Sequence, residues 1–325
     1  MGMKQAVLLA LTLMVLVGCS PVEPVRETRT LMGTVVTVTV IDSDNSKARS
    51  AVDSAFAEMA RIESLVSIYN KSQVKQLNDE GSVTHASPEL LFLLERSRFY
   101  SELSGGIFDI TVQPILDLYS RSFNDIKRPP TDAEINVTRV LINYHDIHVD
   151  GDTVRLGKEG MKITLGAIAK GYAVDQAIDL LKSEGIQHAL IDAGGDIRAI
   201  GRKSEGPWGI ALQNPRNSSD YVALIPLDDQ AVATSGDYER FFDENKSFHH
   251  IIDPKTGYSA TSLISVTVIA KNLTHADALA TTIFVMGPEK GIGLLESLPD
   301  VEGLLITRDR KVLSTEGFPV AIPYR

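Results

Sequence analysis

Thr164-Leu165-Gly166-Ala167-Ile168-Ala169-Lys170-Gly171-Tyr172-Ala173-Val174-Asp175 is a glycine-punctuated turn that runs into a helical pattern. Gly166 and Gly171 carry no Cβ, so the backbone there can approach a ligand, and the unpaired N–H groups of a helix start can face an anion. Lys170 adds a full positive charge. The stretch reads as a phosphate site, with close helix–strand packing as the other use of small residues there. Ala173, Val174, Ala177, Ile178 and Leu181 keep helical spacing to about residue 184, and Gly185 is placed to end the helix.

Downstream, a short strand at 188–191 opens into Asp192-Ala193-Gly194-Gly195-Asp196, a turn too compact for most side chains. Strands are expected at 208–212, 221–226 and 231–234, the last entering Ser235-Gly236-Asp237-Tyr238. His249-His250-Ile251-Ile252-Asp253-Pro254-Lys255-Thr256-Gly257 follows, then a strand at 265–270. Ala276-Asp277-Ala278-Leu279-Ala280-Thr281-Thr282 begins another helix, with Gly287-Pro288 to end it, and strands at 304–307 and 311–314 close the chain.

Upstream, Met32-Gly33-Thr34 precedes a strand at 35–40, in which valines and threonines alternate. A helix is expected over 46–67 on the spacing of Val52, Ala55, Phe56, Met59, Ile62 and Val66. Ser67-Ile68-Tyr69-Asn70, Ser72 and Leu77-Asn78 read as a polar loop. Ser87-Pro88 is an N-cap with proline at the first helical position, and that helix should reach Leu103 before Ser104-Gly105-Gly106 stops it. Ile107-Phe108-Asp109-Ile110-Thr111-Val112-Gln113-Pro114 then sets an aromatic and a carboxylate after a flexible turn. Residues 122–138, with Pro129-Pro130, read as a surface excursion, and 149–156 as a hairpin about Asp150-Gly151-Asp152. Strands and helices without regular alternation indicate an α+β fold, and no GxGxxG supports a doubly wound dinucleotide fold.

Residues 1–18 read as a signal peptide: Lys4 gives a positive start, residues 6–17 are almost wholly apolar, and small residues precede Cys19. Leu16-Val17-Gly18-Cys19 resembles a bacterial lipoprotein box, which implies cleavage before Cys19, acylation of that cysteine and a lipid tether outside the cytoplasm. A tether is expected over residues 19–30 and a single folded unit over 31–325. The formal net charge is −10, and removing residues 1–18 takes away one charge, Lys4, leaving −11. So acidic a chain is a poor partner for nucleic acid. Cys19 is the sole cysteine, so stability must come from the core.

Asp277 and Thr281 stand four apart, so a carboxylate and a hydroxyl emerge from one helix face as hard oxygen ligands for magnesium. Equally, Asp277 could satisfy backbone donors near the helix start while Thr281 bonds back along its own helix. His250, at a strand–turn junction, is a candidate general base or a structural histidine. Tyr69, Phe108 and Tyr172 offer rings for an aromatic cofactor or for the core.

In order, Met32-Gly33-Thr34, Ser67-x-Tyr69 with Leu77-Asn78, Gly105-Gly106-x-Phe108-Asp109-x-Thr111-Val112-x-Pro114, Leu165 to Asp175, Ala193-Gly194-Gly195-Asp196, Ala233 to Tyr238, His250 to Gly257 and Ala276 to Thr282 resemble the ApbE family of FAD:protein FMN transferases. The resemblance implies an ApbE-like, T-fold-related architecture around a central flavin-binding cleft. It implies transfer of the FMN half of FAD to a Thr or Ser hydroxyl of another protein, with AMP leaving. Magnesium would be held by the Ala167 backbone oxygen, Asp277 and Thr281. Met32, Tyr69, Ile107, Phe108, Asp109, Thr164, Lys170 and Ile252 fall at expected FAD contacts, although many members are acidic where this chain has Thr164. His250 is assigned as general base, with Lys170 neutralising phosphate charge. Expected acceptors are exported electron-transfer flavoproteins with a Ser/Asp-Gly-Ala-Ser/Thr-Thr type of motif, modified on the periplasmic side of a bacterial envelope. The alternatives are an FAD pyrophosphatase giving FMN and AMP, or a non-catalytic flavin-binding lipoprotein.

Overall fold

The computed structural model describes residues 22–319 apart from 204–205 and 245–246. Cys19 and the signal peptide lie outside the described residues. β1 (Val25–Leu31) and β2 (Thr34–Ile41) form a hairpin whose two turn residues, Met32 (φ 53°) and Gly33 (φ 70°), are both left-handed, the conformation that suits a tight hairpin. The expected tether over 19–30 is corrected by β1, which begins at Val25.

α1 (Asn45–Val66) starts on the Asp44 side chain, which takes the Ser46 and Lys47 N–H groups. α2 (Gln73–Glu80) begins at Ser72, whose hydroxyl accepts from Lys75, and ends at left-handed Gly81. This helix replaces the polar loop expected there. β3 (Ser82–Val83) leads to α3 (Pro88–Leu103), bounded as its Ser87-Pro88 and Ser104-Gly105 signals require. α4 (Gln113–Arg121) follows a single 3₁₀ turn at Ile110–Val112. The surface excursion expected over 122–138 carries a short helix, α5 (Asp132–Arg139), held by a reciprocal Thr131–Glu134 capping box.

β4 (Ile147–Asp150) and β5 (Thr153–Leu156) make the expected hairpin, joined by β3. α6 (Ala169–Ser183) grows from the glycine turn. β6 (His188–Ala193) and β7 (Asp196–Ile200) are linked by Gly194 and Gly195, both at positive φ. β8 (Trp208–Asn214) and β9 (Asn217–Leu227) pair only with each other among the described residues. β10 (Ala231–Gly236), β11 (Leu263–Ala270), α7 (Leu273–Met286), α8 (Pro288–Ser297), β12 (Glu302–Thr307) and β13 (Val312–Ser314) complete the order. Gly287-Pro288 thus ends one helix and starts another.

The main sheet has the order β1-β2-β6-β7-β10-β11-β12-β13, antiparallel at every described pairing. Alternation divides its residues between two apolar layers. Val36, Val38, Ala189, Ile191, Ala233, Val266 and Val268 share one core with α1, α3, α6 and α7. Ile197, Ala199, Val232, Ile269 and Ile306 face the other way, into a second core with Trp208 and Ile225 of the β8–β9 hairpin. Each large side chain fully buried in this way contributes about 1.5–3 kcal/mol. On β7 and β10 the same period leaves Asp196, Arg198 and Ser235 on the helix side, where α6 and α7 meet.

Candidate active site

The site is built where α6 and α7 start beside β7 and β10. Gly171 is a contact residue between the two helices, since a Cβ there would lie 2.5 Å from the Leu273 carbonyl oxygen. Its N–H donates to Asp277 Oδ2 at 3.1 Å. The Ala169 N–H goes to the Leu165 carbonyl at 2.8 Å. The helix start is therefore not a bare N–H cradle for an anion, and the use of Gly171 for close ligand approach is corrected. Gly166 remains exposed in the turn.

Asp277 is buried in the second turn of α7; Asn272 is the N-cap, accepting from His275 N. Thr281, one turn further on, comes within 3.2 Å of Ser235 Oγ with its own hydroxyl. The capping and back-bonding alternatives for this pair are thus replaced by contacts across to α6 and β10. Asp196 links the layers: its Oδ2 lies 2.8 Å from Lys170 Nζ and its Oδ1 takes the Thr234 N–H at 3.1 Å. Asp175 receives the Leu273 and Thr274 N–H groups at 2.9 and 2.7 Å and the Thr274 hydroxyl at 2.6 Å, which pins the start of α7 to α6. Arg198 Nε stands 3.7 Å from Asp175, and neither its Nε nor its Nη1 has a hydrogen-bond partner.

Burial first, and Asp196 second, push the Asp277 carboxyl up to about 7, against the pull of Lys170 and the Gly171 N–H. Burial opposes the Lys170 ammonium, but Asp196 and Asp277 outweigh it and its pKa is raised. Burial likewise raises Asp175, despite the donors on it. Among these groups three carboxylates (Asp175, Asp196, Asp277) face two cations (Lys170, Arg198). The residual charge, with the all-oxygen set of Asp277, Thr281 and a backbone carbonyl, suits a hard divalent cation. Helical geometry would send the Gly171 N–H to the carbonyl of Ala167; that donor is spent on Asp277. Among the described residues no cluster of three or more His, Cys, Asp or Glu is arranged to hold a metal.

His250 is half-buried beyond β10. Its Nδ1 lies 3.3 Å from the Arg240 carbonyl, which also takes the His250 N–H at 3.2 Å. A carbonyl only accepts, so Nδ1 carries the hydrogen and Nε2 keeps the lone pair. Burial, with Arg240 next, lowers this imidazole to about 4. Neighbouring His249 is buried and donates from Nε2 to the Ala260 carbonyl at 2.8 Å, a structural role.

The other expected contacts are spread over several segments. Met32 occupies the β1–β2 turn, and its neighbour Gly33 lies against the Arg240 guanidinium, Nη2 being 3.8 Å from where a Cβ would sit. Asp109 accepts from Thr111 N at 2.8 Å and Tyr144 N at 3.0 Å, which fixes the segment holding Ile107 and Phe108. Thr164 donates its N–H to the Ile110 carbonyl at 2.8 Å, and Asn78 clamps both backbone groups of Ile163. A cavity of about 410 Å³ separates Gly106, Asp109 and Tyr144 from Pro254 and Lys255, just past Ile252. The Ile252 side chain itself is buried with Ile115, Tyr119 and Ile135. Phe108 packs its ring 5.7 Å from Tyr100, and Tyr172 packs 5.2 Å from Phe92. Tyr69 is 82% exposed on the turn after α1. A larger cavity, about 540 Å³, lies by Ser262, Pro288 and Arg308 and holds none of these residues.

No local pattern in the sequence marks Asp175, Asp196, Ser235 or Arg240 as a site residue. The acid-flanked glycine turns at 192–196 and 234–237 are the nearest signal for Asp196 and Ser235.

Fold and cluster together define an α+β protein with a buried cluster of carboxylates and cations where α6 and α7 meet the sheet, a charge set suited to a hard cation. A profile of the ApbE family matches residues 32–305, and the chain belongs to that family. It is 36% identical over 247 residues to the FAD:protein FMN transferase of Treponema pallidum, covering 70% of this chain and 68% of that protein. To the Vibrio cholerae FAD:protein FMN transferase it is 32% identical, covering 88% and 89%. The crystal structure of the ApbE protein of Thermotoga maritima superposes with a TM-score of 0.83 at 34% identity, over 90% of this chain and 97% of that one. The Vibrio cholerae flavin transferase ApbE gives 0.77 at 30% identity, over 93% and 98%.

Proposed function

We propose that this protein transfers the FMN moiety of FAD to a Thr or Ser hydroxyl of an exported acceptor flavoprotein and releases AMP. The observation that carries this is the buried cluster of Lys170, Asp196 and Asp277 beside Thr281, with the His250 imidazole near enough to feel the Lys170 charge. Similarity to flavin transferases over most of the chain supports the substrate class.

Attack by an acceptor hydroxyl on the FMN-side phosphorus breaks the bond to the AMP phosphate. His250 Nε2 takes the hydroxyl proton as that bond forms. The low basicity of this imidazole keeps it unprotonated at neutral pH. Lys170, held by Asp196, offsets charge on the phosphate oxygens. Ala167 through its carbonyl, Asp277 and Thr281 would hold Mg²⁺, which when bound neutralises pyrophosphate charge and orients the phosphates. Met32, Tyr69, Ile107, Phe108, Asp109, Thr164 and Ile252 are assigned to the flavin dinucleotide.

The reading includes acylation of Cys19, a periplasm-facing lipid anchor and acceptors that carry a Ser/Asp-Gly-Ala-Ser/Thr-Thr type of motif on electron-transfer subunits. No helix among the described residues is long and apolar enough to cross a membrane.

The test mixes the protein with FAD, Mg²⁺ and an acceptor domain and weighs the acceptor intact. A gain of FMN less water, lost with chelator or in Asp277→Ala, is expected. Free FMN and AMP with unlabelled acceptor would replace transferase by pyrophosphatase, and unchanged FAD would leave a binding protein.

A further inference from the structure

Arg240 is an exposed cation whose backbone, rather than a counter-charge among the described residues, fixes its place. It lies in the loop after β10, and its carbonyl takes both hydrogens that His250 offers, at 3.2 and 3.3 Å, so backbone and imidazole are fixed together. Its side chain reaches back over the Met32–Gly33 turn, with Nη2 3.8 Å from the position of a Gly33 Cβ. Among the described residues no carboxylate pairs with this guanidinium. The neighbouring cations are arranged otherwise: Lys170 is on Asp196, and Arg216 and Arg308 are both on Asp237.

The charge of Arg240 acts on Lys170 as well as on His250, so the two cations stand close enough to repel. Because Arg240 is exposed, water screens most of that repulsion in the ligand-free protein, and an anion entering between the two cations is attracted by both. A guanidinium presents a planar fork of donors that matches phosphate oxygens, and a diphosphate brings one charge for each cation.

Building on the flavin-transfer function above, we propose that the Arg240 guanidinium binds the pyrophosphate of the flavin dinucleotide, opposite Lys170. Arg240 thereby selects for a diphosphate, and its backbone carbonyl holds the base that acts beside it.

The test uses the full chain with Mg²⁺, titrated with FAD and with ADP as a competitor that has the diphosphate but no flavin. Arg240→Ala and Arg240→Gln should both weaken FAD and ADP by about ten- to a hundredfold, as expected for one charge-assisted contact. Arg240→Lys should recover part of it. Unfolding midpoints without nucleotide should stay at the wild-type value. Arg240, His249 and Lys170 are the charged groups acting on His250, so loss of Arg240 should move the acid limb of flavin transfer to higher pH. Wild-type ADP affinity in Arg240→Gln, or a lowered unfolding midpoint that accounts for the lost binding, would reduce Arg240 to packing on the Gly33 turn and overturn the proposal. If the wild-type protein labels its acceptor in those cases, flavin transfer survives and only the Arg240 assignment fails. A wild type that neither binds FAD nor labels any acceptor overturns both.

Discussion

The Gly171 N–H points across a helix–helix contact to Asp277 Oδ2, 3.1 Å away. The residue that lets α6 and α7 touch is thus also the one that orients the buried carboxylate. Gly171→Ala would drive a Cβ onto the Leu273 backbone, which cannot swing aside as a side chain would. A loss of about 1–3 kcal/mol is expected, together with weaker binding of a divalent cation. Gly166→Ala, in the exposed turn with Thr164 Oγ1 3.4 Å from the new Cβ, should stay within about 0.5 kcal/mol. Urea titrations of both variants check the contrast.

Lys170 and Asp196 form a pair whose acid is almost wholly enclosed. Lys170→Met strands that carboxylate and should cost about 1–3 kcal/mol. Adding Asp196→Asn should return most of the stability but none of the FAD affinity, because the cation is still missing. A double-mutant cycle read by both unfolding and FAD binding separates the two effects.

Acid should weaken the fold through its histidines. Burial lowers His250 and His275 to about 4 and also lowers His249, from an ordinary value of 6.5. Between 6.5 and 4 the unfolded chain takes up protons that the folded one refuses. Their contribution is therefore complete above pH 6.5 and lost as pH falls toward 4. Denaturant midpoints at pH 7.5, 6 and 5 in wild type and His275→Gln isolate this share: the variant should lose less on the acid side, while the raised Asp277 carboxyl works the other way in both, favouring the fold as it takes up its proton below about pH 7.

Asp237 joins the β8–β9 hairpin to the main sheet, with both oxygens on Arg216 at 2.7 and 2.6 Å and a further contact to Arg308 at 3.3 Å. Both arginines are partly solvated, which tempers the gain. Asp237→Ala should cost about 1–3 kcal/mol. Hydrogen exchange should quicken in Asn217–Leu227 before it does in β11.

Much of this was legible along the chain. Ser87-Pro88 and Ser104-Gly105 bound α3 because capping is local chemistry. The four-residue step from Asp277 to Thr281 puts both on one face of α7 for the same reason. α2 was missed because its buried residues are only Val74 and Leu77, too few to show a period. α5 hid behind Pro129-Pro130, although its Thr131–Glu134 capping box was there to be read. β1 reads as tether because Val25 is its sole fully buried residue, an edge strand with little apolar rhythm. Asp196 and Ser235 reach α6 and α7 through sheet order, not spacing, while Arg240 meets His250 across a single isolated bridge, Phe241 to His249, that no pattern marks.

That sheet order also sets when the site comes into being. β2 waits for β6 and β7 for β10, so long loops must close before the central strands are in place, and topologies of that kind fold slowly. Met32 enters from the first hairpin and Thr281 from α7, so the residues proposed to meet FAD come together only in the finished fold. FAD can therefore hold only the finished molecule, by RT ln(1 + [L]/Kd). Wherever the chain completes its folding, a supply of flavin dinucleotide there acts as a clamp on the last step.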